Sequence, residues 1–238
     1  MSDQPNDRRK RVTADDQKPA KIVFLFDVDN TLLDNDRVTA DLKRHLEKEV
    51  DLAGSQRYWS ILERLRNELG YADYLGALQR YREDKPHDLR LLAVSRFLID
   101  YPFANRLFPG SLDAVEHVKQ WGPAIILSDG DVVFQPRKVE RSGLFETVNG
   151  NVLIYVHKEQ ELDDIVDRFP ANHYVMVDDK LRILAAIKAI WARRVTTVFV
   201  RQGHYALDSA ILSTYPPADV SIERIGDLLE HDLATLRL

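Results

Sequence analysis

Five apolar residues in a row, Ile22, Val23, Phe24, Leu25 and Phe26, stop abruptly at Asp27, with Asp29 two positions further on. No other stretch limits the possible folds so strongly. A strand with one wet face alternates apolar and polar residues. An unbroken apolar run needs cover on both faces, as an inner strand of a parallel sheet has. Two carboxylates at its end repel each other and resist leaving water, so their placement needs a chemical reason.

The rest of the chain agrees with an inner parallel strand. From Ser111 onward, helical and strand patterns alternate. A helix over 112–120 precedes the strand "AIILSDG", and a helix over 135–142 precedes "VLIYVHK", which follows the Asn149-Gly150 turn. A helix over about 159–168 leads to "YVMVDDK", and one over 181–193 leads to "VTTVFV". Such a βαβα series calls for right-handed crossovers and a doubly wound parallel sheet with helices on both faces, an α/β fold. The segment "SIERIGDLLEHDL" reads as a short closing helix.

The alternation is interrupted once, after the first strand. Leu42, Leu46 and Val50 form one helical stripe; Tyr58, Ile61, Leu62, Leu65 and Leu69 a second; Tyr74, Leu75, Leu78 and Tyr81 a third. Gly54, Gly70 and Pro86 punctuate them, and a further helical pattern follows before "YPFANRLFPG". The expected organisation is therefore a tail over 1–20, an α/β core built from 21–34 and 106–238, and an inserted all-helical block over 35–105. The tail mixes both charge signs with almost no large apolar side chain, so disorder is expected there, its Arg8, Arg9, Lys10 and Arg11 cluster solvated.

Composition narrows the functional classes. A net charge of -5 gives no general basic field, so nucleic acid is not an expected partner. The absence of cysteine excludes disulfides, thiolate metal sites and cysteine nucleophiles. No apolar run is long enough to span a membrane, and a soluble, cytoplasmic protein is the expectation.

In a doubly wound sheet, ligands bind beyond the carboxyl ends of the strands, where the strand order reverses. The strands here end in Asp27, Val28, Asp29, Asn30 and Thr31; in Ser128, Asp129 and Gly130; in His157 and Lys158; and in Asp178, Asp179 and Lys180. Folding would gather carboxylates, a hydroxyl and a lysine at one edge. Four anions in one crevice require cations, and hard oxygen ligands alone suit Mg²⁺.

"DVDNT", "ILSDG", Lys158 and "VMVDDK" resemble, in order, the four motifs of the haloacid dehalogenase (HAD) superfamily, aspartate-nucleophile phosphatases and their relatives. The resemblance covers the chain after about residue 20. It implies a Rossmann-like core, with the helical block in the place of a cap domain. By that resemblance Asp27 is the nucleophile and a metal ligand, and Asp29 is the general acid and base, its backbone carbonyl a further ligand. Thr31 stabilises the loop, while Ser128 and the N–H groups of Asp129 and Gly130 bind phosphate oxygens. Lys158 holds Asp27 and the phosphate, and Asp178 and Asp179 complete the Mg²⁺ site, either of them being the direct ligand. Two departures stand out: no acid follows in the Arg182-Ile183-Leu184 region, and Glu159 occupies a position where many relatives carry proline.

These implications make a Mg²⁺-dependent hydrolase of a small phosphorylated metabolite the expected activity. The open alternatives are a phosphotransferase or mutase of the same superfamily and a non-catalytic binding module. Dehalogenating relatives need no metal and lack the second acid, which Asp29 supplies here. Arg57, Arg64, Arg66, Arg90 and Arg96 are candidates for meeting the substrate from the cap. Asp34, Asp36 and Asp131 read as helix caps or loop residues, and Trp59, Trp121 and Trp191 as core.

Overall fold

The computed structural model describes residues 19–231. The charged N-terminal cluster and nearly all of the expected tail lie outside that range; Ala20 already belongs to the first strand.

Six strands form one parallel sheet in the order β3-β2-β1-β4-β5-β6: β1 (Ala20–Phe26), β2 (Ala124–Asp129), β3 (Val152–Tyr155), β4 (Ala171–Asp178), β5 (Val195–Val200) and β6 (Val220–Ile222). β1 lies between β2 and β4, all pairings parallel. Both faces of β1 are covered, as its unbroken apolar run requires. Ile22, Phe24 and Phe26 pack into one core; Val23 and Leu25 pack into a second on the other side. The chain leaves β1 toward β2 and β3 and returns to β4 on the opposite flank. The strand order therefore reverses beside β1, with Asp27 at its carboxyl end.

Two expectations change in the C-terminal third. "SIERIGDLLEHDL" is not a helix from its start: β6 pairs with β5 through Val220 and Ser221, and only then does a 3-10 turn form over Ile225–Leu229. Three residues are too few for an alternating pattern to show. The helix expected from about residue 159 begins with a 3-10 turn, Lys158–Gln160, and becomes α-helical only at Leu162.

Between β1 and β2 runs a helical insertion: α1 (Asn35–Leu69), α2 (Tyr74–Glu83) and α3 (Leu91–Asp100). Asp34 caps α1, its side chain accepting from Arg37 N at 2.9 Å. The interruption sits at Asp51 (φ 70°, ψ 176°) rather than at Gly54. Asp51 Oδ1 accepts from Gly54 N at 2.8 Å and so restarts the helix as a cap would. Gly54 serves contact instead: a Cβ there would stand 2.8 Å from the Tyr81 hydroxyl on α2.

The remaining helices are α4 (Ser111–Val118), α5 (Phe134–Ser142), α6 (Leu144–Thr147), α7 (Leu162–Arg168), α8 (Leu181–Trp191), α9 (Gly203–Leu207) and α10 (Ser209–Thr214). Among the described residues no helix is long and apolar enough to cross a membrane.

Candidate active site

The loop after β1 is a tight turn around one carbonyl. Val28 O accepts from the N–H groups of Thr31, Leu32 and Leu33, and Asn30 N donates to Leu33 O at 2.7 Å. Asn30 takes the left-handed conformation (φ 63°) that its type tolerates, and its Oδ1 accepts from Asn35 N and Asp36 N, tying the turn to the start of α1. Gly203 abuts this turn at φ 72°, and a Cβ on it would stand 2.4 Å from Asn30 Cβ. Gly203→Ala is therefore expected to lower stability by about 2 kcal/mol and disturb the aspartate loop, read by denaturant unfolding.

Asp27, Asp178 and Asp179 converge at the carboxyl ends of β1 and β4. One carboxylate oxygen from each lies within 4.8 Å of the others. Lys158 reaches them from the turn after β3. It is 0% exposed, with its Nζ 2.5 Å from Asp27 Oδ1 and 2.7 Å from Asp178 Oδ2. It also donates to Leu127 O at 3.3 Å. Burial opposes its charge, but Asp178, Asp27 and Asp129 outweigh burial and hold the ammonium well above its ordinary range.

Asp179 is likewise 0% exposed, and neither of its carboxylate oxygens has a hydrogen-bond partner among the described residues. Asp27 Oδ2 is also unpartnered. Burial, joined by repulsion from Asp178 and Asp27, pushes the Asp179 carboxyl well above the usual carboxylate range. Asp178 differs: its Oδ1 accepts from Lys180 N at 2.8 Å and its other oxygen meets Lys158. Fully ionised, the carboxylates of Asp27, Asp129, Asp178 and Asp179 would exceed the two cations of Lys158 and Lys180 by two negative charges, which is why burial and mutual repulsion raise the carboxyls of Asp129, Asp178 and Asp179. A divalent cation fits that excess, the hard oxygen donor set and the bare oxygens of Asp179.

Asp29 does not join this cluster through its side chain. Its Oδ1 is 2.6 Å from Lys138 Nζ, and Lys138 also donates to Asn35 Oδ1 at 3.1 Å. Lys138 is only 1% exposed, a buried cation on α5 that the motifs do not contain. The signal was present: Phe134, Gln135, Lys138, Val139 and Ser142 form the buried face of α5, and a lysine on an inward stripe implies a partner.

Ser128 is buried at the end of β2, where its Oγ accepts from Gln135 Nε2 at 2.9 Å. Asp129 Oδ1 accepts from Lys158 N at 2.8 Å, and burial raises its carboxyl, with Lys158 opposing. One expectation fails here. The Gly130 N–H is committed to Tyr155 O at 2.9 Å, because the β2–β3 ladder continues one residue past the strand, so it is not free for a phosphate oxygen. Gly130 serves closeness: a Cβ would meet Gln135 Cβ at 2.7 Å and obstruct its approach to Ser128. The Thr31 hydroxyl is buried and without a partner among the described residues, while Thr31 O accepts from Gln202 Nε2 at 3.1 Å. Glu159 pairs with Arg182 at 2.7 Å.

Above these strand ends lies a cleft of about 830 Å³ between the sheet edge and the helical insertion. Asp29, Asp129, Gly130 and Lys180 line its sheet side. Trp59 and Arg66 line the insertion side, so Trp59 is a cleft-wall residue as well as a core neighbour. Of the five arginines singled out from the sequence, Arg66 alone reaches the cleft. Arg57 and Arg64 line a separate hollow, Arg57 pairing with Asp84, and Arg90 pairs with Asp88. Asp34 and Asp131 act as local caps, while Asp36 Oδ1 lies 2.6 Å from His204 Nδ1.

A family model described as haloacid dehalogenase-like hydrolase matches residues 23–190. A search of curated proteins returns no match. Among solved structures, a protein assigned as a haloacid dehalogenase-like hydrolase from Burkholderia xenovorans LB400 is 63% identical. The match covers 92% of this chain and 100% of that one, with a TM-score of 0.87. HAD-hydrolase YfnB from Bacillus subtilis, bound to magnesium, is 16% identical with a TM-score of 0.60, covering 93% and 100%. L-2-haloacid dehalogenase from Xanthobacter autotrophicus is 18% identical with a TM-score of 0.57, covering 91% and 98%. At those last two identities the likeness is one of fold. With the family model running from β1 through α8, and a 63%-identical relative aligned over its whole length, the chain belongs to the haloacid dehalogenase-like hydrolases.

Proposed function

We propose that the protein is a Mg²⁺-dependent phosphomonoesterase acting on a small phosphorylated metabolite, with the helical insertion as its cap. The observation that carries this reading is Asp179, which stands next to Asp27 and Asp178 with both of its buried oxygens lacking a hydrogen-bond partner among the described residues. Burying a carboxylate in that state is costly unless a cation completes it. Mg²⁺ bound by Asp27, Asp178 and Asp179 would draw charge from the phosphate and offset its repulsion with the nucleophile.

The residues then divide the work. The Asp27 carboxylate attacks phosphorus, an Asp27 O–P bond forms, and the bond to the leaving oxygen breaks. Asp29, protonated, gives its proton to that oxygen. As a carboxylate it then takes a proton from the water that attacks the aspartyl-phosphate, releasing phosphate and restoring Asp27. Lys158 fixes Asp27 and neutralises part of the phosphate charge. Ser128, oriented by Gln135, offers a hydroxyl to a phosphate oxygen.

Lys138 Nζ lies 2.6 Å from Asp29 Oδ1 and so positions the carboxyl group that moves the proton. Lys138→Met is expected to lower kcat by about tenfold or more while changing KM little. A raised KM with kcat unchanged would assign Lys138 to substrate binding instead.

The related fold of L-2-haloacid dehalogenase makes carbon–halogen cleavage the rival reading. It has no use for a second loop acid or for bare buried oxygens on Asp179. Turnover of p-nitrophenyl phosphate with Mg²⁺, abolished by EDTA and in Asp27→Asn, is the expected result. Activity that survives both treatments contradicts the proposal.

A further inference from the structure

Resting on that reading, we infer that Arg66 is a specificity residue that binds a second anionic group of the substrate, remote from the scissile phosphate. The cleft supplies the argument. At about 830 Å³ it is much larger than a phosphate group needs, and Trp59, Tyr71, Tyr74, Phe134, Tyr205 and Tyr215 lend it aromatic surface. The substrate therefore has a body, flat or apolar enough to lie against those rings.

Most cations around the cleft are already spoken for. Lys138 pairs with Asp29, Lys158 with Asp27 and Asp178, and Arg182 with Glu159, while the His204 imidazole hydrogen-bonds Asp36. Lys180 forms no ion pair among the described residues, but its charge answers Asp179 and its Nζ lies 5.5 Å from the Tyr205 ring centroid.

Arg66 is different. No carboxylate lies within ion-pairing distance of it among the described residues, and its one recorded side-chain bond goes to the hydroxyl of Tyr205. A guanidinium carries five donors in a planar fork matched to a carboxylate or phosphate, so one neutral hydroxyl leaves most of that capacity unused. Tyr205 meets Arg66 through its hydroxyl and Lys180 through its ring, so it places Arg66 across the cleft from the aspartates. The substrate class this selects is a phosphomonoester with a ring or apolar body and a second anion at its far end.

The test uses matched probes: 2-, 3- and 4-carboxyphenyl phosphate and ω-carboxyalkyl phosphates of increasing length, each beside its methyl ester. The reading is the ratio of kcat/KM for acid over ester. In the wild-type protein at least one acid is expected to exceed its ester by about tenfold or more, through KM, and Arg66→Ala is expected to bring that ratio to about one. Arg66→Lys should restore part of it, and Tyr205→Phe should lower it. No preference in any pair overturns the inference. So does an Arg66→Ala variant in which acid and ester fall together, which would make Arg66–Tyr205 a latch that closes the cap.

Calorimetry with the corresponding carboxyphenyl phosphonates separates this inference from the phosphatase reading. Binding that depends on Arg66 in a protein that hydrolyses none of the esters removes the phosphatase and keeps the anion site. Hydrolysis with phosphonate binding indifferent to Arg66 does the reverse.

Discussion

Lys158→Met is expected to destabilise the metal-free protein by about 3–5 kcal/mol, because two buried carboxylates lose the cation they share. Methionine keeps the length of the side chain, so little of that loss comes from packing. At roughly 2–4 °C of melting temperature per kcal/mol for a chain of this size, the midpoint in EDTA falls by about 6–20 °C. Mg²⁺ should recover a good part of it, since it supplies positive charge to Asp27 and Asp178. Turnover should not recover: without the ammonium against Asp27 and the phosphate, kcat is expected to stay at least about a hundredfold down. Thermal melts with EDTA and with Mg²⁺, beside single-turnover kinetics, read both effects. A variant that melts like wild type in EDTA would show that Lys158 is not the counter-ion its 2.5 and 2.7 Å contacts indicate.

Asp179→Asn carries the opposite sign. In EDTA the variant is expected to be more stable than the wild type by about 1–2 kcal/mol, because a buried carboxylate repelled by Asp178 and Asp27 becomes a neutral amide. That corresponds to a rise of roughly 2–8 °C. Addition of Mg²⁺ reverses the order. At a concentration about a hundredfold above its dissociation constant, Mg²⁺ stabilises the wild type by about 2.7 kcal/mol, and the variant loses most of that gain along with turnover. A site that becomes more stable when its acid is removed, yet loses activity, is one that keeps the acid for a ligand. A drop in stability in EDTA would mean that Asp179 already has a partner within the folded chain.

Much of this site was legible in the sequence, for a physical reason. Apolar strands that end in carboxylates identify themselves, because the run Ile22 to Phe26 needs two covered faces and Asp27 cannot follow it into a core without purpose. The downstream strand ends Ser128, Lys158, Asp178 and Asp179 mark the same sheet edge, and the structure gathers them there. What escaped were partners carried on helices and fixed only by packing. Lys138 and Gln135 sit on the inner face of α5, where one turn of helix brings them to Asp29 and Ser128. Arg66 and Tyr205 are 139 residues apart and meet only when the insertion lies over the sheet edge. Gly130 was misread because its sequence shows a loop glycine but not the ladder bond to Tyr155 that consumes its N–H. β6 escaped because three residues carry no period, and the helical break fell at Asp51 because an aspartate can recap a helix as well as a glycine can end one.

The direct test is to locate the phosphoryl group. Wild-type protein with Mg²⁺ and a turned-over phosphomonoester is quenched in acid within one turnover, digested, and its peptides weighed. One phosphoryl group is expected on the peptide containing Asp27, at Asp27 itself, and none in Asp27→Asn or when EDTA replaces Mg²⁺. An unmodified Asp27 peptide together with halide release from L-2-chloropropionate in EDTA would contradict the account.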